Sequence, residues 1–171
     1  VAIGACACLG GVQEIKDYRG DKKQLIRQIY PNIRGIDNPN IKAVKEIVKV
    51  DLEIPGCPIN KEEFFRLINQ VLEGKIPEIP QNPVCVECPR RNKNCLILLG
   101  RPCLGPISLA GCGAPCPASG FLCDGCRGSR KGINLEAMKN ALKIKARLSE
   151  EEIENLLERF GKLNELYANK N

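Results

Sequence analysis

A chain of 171 residues can bury an ordinary core without covalent staples, so its 11 cysteines need another reason to exist. It has no histidine and no tryptophan, which excludes Ser-His-Asp and Cys-His catalytic centres, histidine-ligated zinc enzymes and a haem with histidine on its axis. Its 26 Lys and Arg against 20 Asp and Glu give a formal +6, but basic and acidic residues are interspersed and few aromatics are available to stack on bases, so nucleic acid is not an expected partner.

No run approaches the length of about 18 apolar residues that would span a membrane. Val1-Ala2-Ile3-Gly4 opens without methionine and in the middle of what reads as a buried strand. The natural protein is therefore expected to extend further toward its N-terminus, where any leader peptide would lie.

Residues 1–80 read as α/β. Val1-Ala2-Ile3 is an apolar strand end, residues 4–11 are a turn rich in small residues, and residues 22–30 are a helix stopped by Pro31. A loop with Gly35, Asn38, Pro39 and Asn40 follows. The β-branched Val44, Ile47, Val48, Val50 and Ile54 predict a strand within residues 43–54, with a helical first half as the alternative. Pro55-Gly56-Cys57-Pro58 must turn. Asn60 with Glu63 three residues on is a capping-box pattern, and Phe64, Leu67, Ile68, Val71 and Leu72 form a helical stripe ending near Gly74. Strand, tight loop, helix, repeated, predicts a parallel sheet with its functional loops at the C-terminal ends of the strands.

Residues 81–130 change character. Eight cysteines, six prolines and seven glycines leave little room for regular structure, so something inorganic or covalent has to organise this segment. From Ile133 the chain is helical again, with Leu135, Met138, Leu142 and Ile144 on one face. Ser149 and Glu152 form a second capping-box pattern, and Ile153, Leu156, Leu157, Phe160, Leu163 and Tyr167 line the last helix.

The eight cysteines form two runs, Cys85-x2-Cys88-x6-Cys95-x7-Cys103 and Cys112-x3-Cys116-x6-Cys123-x2-Cys126. Each supplies four soft ligands from one loop, enough to wrap a tetrahedral metal or a cubane cluster. A disulfide framework belongs to short secreted chains, whereas this chain is longer and its cysteine total is odd. Structural zinc sites generally repeat a C-x2-C knuckle on both sides, which neither run does. Iron-sulfur clusters suit irregular loops whose N–H groups can turn toward the sulfides, and they are the preferred reading. A non-redox module, with two four-cysteine zinc sites organising an interaction surface, is the alternative. Four thiolates around a core of charge 2+ carry a net −2, so two such sites would leave the chain at about +2.

Two more cysteines follow the strands: Cys6 in Gly4-Ala5-Cys6-Ala7 and Cys57 in Pro55-Gly56-Cys57-Pro58. Adjacent strand ends of a doubly wound sheet converge on one crevice, so the two are candidates for one site. They would not complete a cluster alone; the other ligands would have to precede Val1. The competing reading is that both are ordinary buried thiols. Cys8 is read as a small buried residue.

The combination of Gly4-Ala5-Cys6-Ala7 with Gly10-Gly11, Pro55-Gly56-Cys57-Pro58, Pro83-Val84-Cys85-Val86-Glu87-Cys88, Pro102-Cys103-Leu104-Gly105-Pro106, Ala110-Gly111-Cys112 and Cys123-Asp124-Gly125-Cys126-Arg127-Gly128 resembles the small, electron-transferring subunit of nickel-iron hydrogenases. The likeness is to the soluble cytoplasmic type, that of the sulfhydrogenase delta subunit and of methyl-viologen-reducing hydrogenases. It covers most of residues 1–130, and the C-terminal helices add nothing to it.

The resemblance implies three parts. Residues 1–80 would be the C-terminal portion of a flavodoxin-like parallel-sheet domain with a proximal cluster, residues 81–130 an irregular two-cluster iron-sulfur domain, and residues 131–171 a helical segment. Cys6 and Cys57 would ligate the proximal 4Fe-4S cluster, which is incomplete here. Cys112, Cys116, Cys123 and Cys126 would hold the middle one, and Cys85, Cys88, Cys95 and Cys103 the outermost. Many relatives have histidine where Cys85 stands, and many have proline in place of Cys116 together with a 3Fe-4S middle cluster; here 4Fe-4S is expected. The Cys-x-x-Cys of the proximal site is absent. The implied partners are a large subunit carrying the nickel-iron centre and flavin-bearing or iron-sulfur reductase subunits, in the cytoplasm, with no catalytic residue on this chain.

Overall fold

The computed structural model describes residues 1–14, 22–30, 32 and 40–160. Strands β1 (Ala2–Ile3) and β2 (Glu53–Ile54) pair in parallel, Ala2 opposite Glu53 and Ile3 opposite Ile54. The pairing is extended by bonds from Ala2 N–H to the Leu52 carbonyl and from Gly4 N–H to the Ile54 carbonyl, both 2.8 Å. Parallel strands need a crossover. Here it contains α1 (Ala5–Leu9) and α2 (Lys22–Ile29). Helix α3 (Lys61–Leu72) follows β2 and sends Leu67 into a small core with Leu52 and Ile54, flanked by Phe64, Ile68 and Ile79. The protein is therefore α/β with a small parallel sheet; β1 leads into α1, which carries Cys6, and β2 into the loop that carries Cys57.

The cysteine-rich segment is bracketed by three short stretches that bond side by side. Val84 N–H donates to the Ser108 carbonyl (3.0 Å), Ala110 N–H to the Asn82 carbonyl (2.9 Å), and Leu109 N–H to the Gly128 carbonyl (3.0 Å). Antiparallel bridges pair Pro83 with Leu109 and Ser108 with Ser129. The stretches lie before the first quartet, between the quartets and after the second, so each cysteine run starts and ends on one scaffold. The buried cluster inside contains Val84, Leu96 and Ala114, and also Cys103 and Cys123. Sulfur thus stands where a larger domain would place leucine. Regular structure here is limited to one 3-10 turn, Val84–Val86, and the four-residue α4 (Pro115–Ala118).

Helices α5 (Leu135–Lys145) and α6 (Glu150–Leu157) close the largest apolar cluster. Met138, Leu142, Ile153, Leu156 and Leu157 pack there on Leu104 and Ile107, which come from between the two quartets. The Ser149 box forms in full: its Oγ accepts from Glu152 N–H, and its own N–H donates to Glu152. Among the described residues no helix is long and apolar enough to cross a membrane.

Four expectations are corrected. The β-branched run of residues 43–54 is strand only at Glu53–Ile54; its first half follows the helical alternative, as a 3-10 helix over Val44–Glu46 held by a bond from Ala43 N–H to the Glu46 carboxylate. Val44, Ile47 and Val48 are exposed, because strand propensity reflects fit to a half-buried pleated surface and, among the described residues, none lies over them. The small-residue turn after β1 contains a helix, α1, begun by Cys8 N–H on the Gly4 carbonyl and closed by Gly10 N–H on that of Cys6. Ile144 is 71% exposed, off the packed face of α5. Val71 and Leu72, assigned to the α3 stripe, are also exposed. Pro31, Gly35, Asn38, Pro39, Leu163 and Tyr167 lie outside the described residues.

Leu142 and Ile144 thereby make a sharp pair. Leu142→Ala should lower the unfolding free energy of the chain by about 2–5 kcal/mol in chemical denaturation. Ile144→Ala should stay within about 0.5 kcal/mol of wild type; equal losses from both would contradict this packing.

Candidate metal centres

The two cysteine runs line two different cavities. Cys85, Cys88, Cys95 and Cys103 face a void of ≈ 50 Å³ walled by Val84, Leu96 and Ile97. Cys112, Cys116, Cys123 and Cys126 face a larger one, ≈ 350 Å³. Val84 and Pro117 belong to both walls, so the cavities are neighbours. All eleven cysteines are unpaired thiols. Among the described residues no three Cys, Asp or Glu side chains converge as they would around a single metal ion; the sulfurs stand around the voids instead.

Cys57 also lines the larger cavity, together with Pro58 and, from beyond α6, Phe160. Cys6 does not; its Sγ lies 3.4 Å from Gln13 Oε1. The segments that follow the two strands nevertheless touch, since the N–H of Ala5, at the start of α1, donates to the Gly56 carbonyl at 2.9 Å. Both thiols are exposed, unlike Cys8, which is buried with its Sγ 3.5 Å from the Ala2 carbonyl.

Burial dominates the thiol chemistry. It pushes Cys123 up to about 12, with a backbone hydrogen bond at Gly125 opposing and the sulfur of Cys103 adding to the rise. Cys85 is pushed up to about 11 by burial and then by Cys103, Cys95 and Cys88, its own quartet. Cys126 also reaches about 11, from burial first, with a backbone hydrogen bond from Cys57 opposing and the sulfurs of Cys112 and Cys57 adding to the rise. Cys103 and Cys112 are raised by burial too, and Cys112 feels the Glu87 carboxylate as well. Such thiols are neutral when unliganded, so binding a metal must displace their protons.

Backbone passes close beneath the first quartet. A Cβ at Gly105 would sit 3.4 Å from Cys85 Sγ and 3.5 Å from Cys103 Sγ. A side chain here would begin in van der Waals contact with both sulfurs.

Several charged residues fix the loops. Arg127, next to Cys126, is 2% exposed. Its Nε donates to the carbonyls of Leu109 (3.1 Å) and Ala110 (2.9 Å), and Nη1 to that of Pro55, in the Cys57 loop. Nη2 donates to Glu63 Oε1 at 2.8 Å, and Nη1 lies 2.7 Å from Oε2. Arg90, in the first quartet, donates through Nε to the Pro117 carbonyl beside Cys116 (2.6 Å). Arg159, just past α6, pairs with Asp124 between Cys123 and Cys126. The Glu87 carboxylate, between Cys85 and Cys88, accepts from the N–H groups on both sides of Cys112, Gly111 at 2.8 Å and Gly113 at 2.9 Å.

Sequence reasoning missed these positioning residues. Glu63 looked like the distal half of a capping box, and its N–H does bond Asn60 Oδ1 (2.9 Å), but its carboxylate is committed to Arg127. Arg127 and Glu87 were visible only as letters inside the cysteine motifs. Nothing local in the sequence signals partners 64 or 24 residues away.

Residues 1–71 match the family described as NADH ubiquinone oxidoreductase, 20 Kd subunit. The chain is 38% identical to the sulfhydrogenase 2 subunit delta of Pyrococcus furiosus, covering 95% of this chain and 67% of that one. It is 33% identical to a subunit of the F420-non-reducing hydrogenase vhu of Methanocaldococcus jannaschii, over 90% of this chain and 63% of that one. Against the iron-sulfur subunit of the F420-non-reducing hydrogenase of Archaeoglobus profundus the identity is 25%, over 75% and 56% respectively. The chain thus spans about two thirds or less of the length of these relatives. The matches define the class, subunits of oxidoreductase complexes. Within it, the chain belongs to the family of hydrogenase small, electron-transfer subunits.

Removing one partner of a buried ion pair strands the other. Glu63→Leu should therefore cost about 3–5 kcal/mol in stability, seen as a loss of roughly 10 °C in the thermal unfolding midpoint. A change below about 1 kcal/mol would show that Arg127 does not depend on this carboxylate.

Proposed function

We propose that this chain carries electrons between a nickel-iron centre on a large partner subunit and a flavin- or iron-sulfur-bearing acceptor module, and makes or breaks no bond itself. One observation carries the reading: the eight clustered cysteines divide between two neighbouring cavities along the same line as the two spacing runs. A zinc-organised interaction module would also use eight thiols. The family, and a relative named as an iron-sulfur subunit, favour redox cofactors.

The residues fit such groups. Each cavity offers four soft donors and an apolar wall, and Gly105 keeps the space over two of the sulfurs open. In this reading Cys112, Cys116, Cys123 and Cys126 hold a middle 4Fe-4S cluster, and Cys85, Cys88, Cys95 and Cys103 an outermost one. Cys6 and Cys57 supply two ligands of a proximal cluster within a flavodoxin-like domain over residues 1–80. When bound, such clusters take up and release single electrons at potentials set by burial, charge and hydrogen bonds to sulfur.

What the chain contributes is position and environment. Cys57 lines the cavity of the second quartet, and that cavity shares Val84 and Pro117 with the first; this supports the order proximal, middle, outermost. Val84, Leu96 and Ala114 exclude water between the quartets. Arg127 holds the Cys57 loop and the second quartet in register. Hydrogen is split into two protons and two electrons, or re-formed, on the partner subunit, and only the electrons pass through this one. A cytoplasmic complex accords with that role.

Replacing Cys112 or Cys123 by serine in the assembled complex should cut hydrogen-dependent dye reduction by about tenfold or more, one lost relay site being enough to break the path, while hydrogen isotope exchange at the partner's metal centre persists. Loss of both together would contradict conduction through this chain.

A further inference from the structure

Glu87 belongs by sequence to the first quartet and by contact to the second. It follows the 3-10 turn Val84–Val86 and stands between Cys85 and Cys88, yet its two carboxylate oxygens accept the N–H groups of Gly111 and Gly113. Those amides flank Cys112. The same bend packs closely against the Glu63–Arg127 pair. Gly111 has φ +117°, and a Cβ there would stand 2.2 Å from Glu63 Oε1 and 2.5 Å from Arg127 Nη2. Cys112 is therefore carried on a bend seated against the buried Glu63–Arg127 pair and tied by its amides to a carboxylate of the other run.

Resting on the cluster reading above, we infer that Glu87 is a positioning residue that couples the two sites, fixing Cys112 and keeping the potential of the second site low relative to the first. Two effects act in the same direction. A negative charge beside a ligand sulfur disfavours adding an electron there. The Gly111 and Gly113 amides, committed to Glu87, are withheld as donors to sulfur, and such donors raise the potential of a cluster. Arg127, the nearby cation, is committed to Glu63 and three carbonyls, and at Cys112 its charge opposes that of Glu87 with the smaller effect of the two. Unlike a ligand, Glu87 is not needed to bind iron, so its removal should change the potential and leave the iron content alone.

The test uses the full-length chain in its complex, purified anaerobically, with Glu87→Gln against wild type. Iron content should be unchanged. Redox titration followed by EPR should show one cluster shifted to higher potential and the others shifted less, and Glu87→Asp, which keeps the charge, should lie nearer to wild type. Hydrogen exchange read by mass spectrometry should show the amides of Gly111 and Gly113 protected in wild type and faster in the glutamine variant. An iron-loaded variant with unshifted potentials and unchanged exchange overturns the inference while the cluster reading stands. Free exchange of both glycine amides in loaded wild type overturns it without need of any variant. Wild-type complex lacking iron in this chain overturns the cluster reading itself.

Discussion

The guanidinium of Arg127 is the point at which the α/β part and the cysteine-rich part become one structure. A buried cation is tolerable only if its donors are satisfied and its charge is balanced. Here the acceptors are the carbonyls of Pro55, Leu109 and Ala110 and the carboxylate of Glu63. Pro55 leads into Cys57, Glu63 lies on the helix that follows it, Leu109 and Ala110 lead into Cys112, and Arg127 itself follows Cys126. Three cysteine-bearing loops therefore share one hydrogen-bonded centre. Desolvating such a pair is expensive enough that its net gain in stability over an apolar substitute is small. Its value is directional, since a planar fork with fixed donor angles accepts one arrangement of these loops.

Around that centre the chain threads in an order different from its spatial one. Cys57 lines the cavity of the second quartet and not that of the first, although the first comes sooner after it in the chain. The three bonded stretches at residues 82–84, 107–110 and 128–130 make this possible by returning the chain to the same ladder before and after each run. Ordinary apolar packing is supplied from outside, by α5 and α6 closing over Leu104 and Ile107. Inside, Cys103 and Cys123 pack among Val84, Leu96 and Ala114, so the side chains that would bind metal are part of the local core.

What the sequence made legible was whatever depends on residue type at short range. The grouping of the quartets, the Ser149 box, the turn at Pro55-Gly56-Cys57-Pro58 and the parallel pairing after two tight loops all rest on local chemistry. Propensity misled where tertiary context was missing. Val44, Ile47 and Val48 have the right side chains for a strand but, among the described residues, no sheet to lie on, and residues Ala5–Leu9 wind into a helix because Gly4 and the Gly56 carbonyl position its first turn. Glu63 was the most instructive case. Its position three residues after Asn60 is a real helix-start signal, yet the burial of Arg127 claims its carboxylate. Long-range polar contacts of that kind, like the hold of Glu87 on Gly111 and Gly113, leave no periodic trace in a single chain.

Conduction through this chain requires each thiol-lined cavity to hold a polynuclear iron core. Anomalous diffraction from crystals of the anaerobically purified complex, recorded on either side of the iron edge and of the zinc edge, tests this directly. The account predicts iron signal inside both walls, bounded by Cys85, Cys88, Cys95 and Cys103 in one and by Cys112, Cys116, Cys123 and Cys126 in the other. A single zinc peak at each position, or sulfurs joined in pairs with no metal between them, would contradict it.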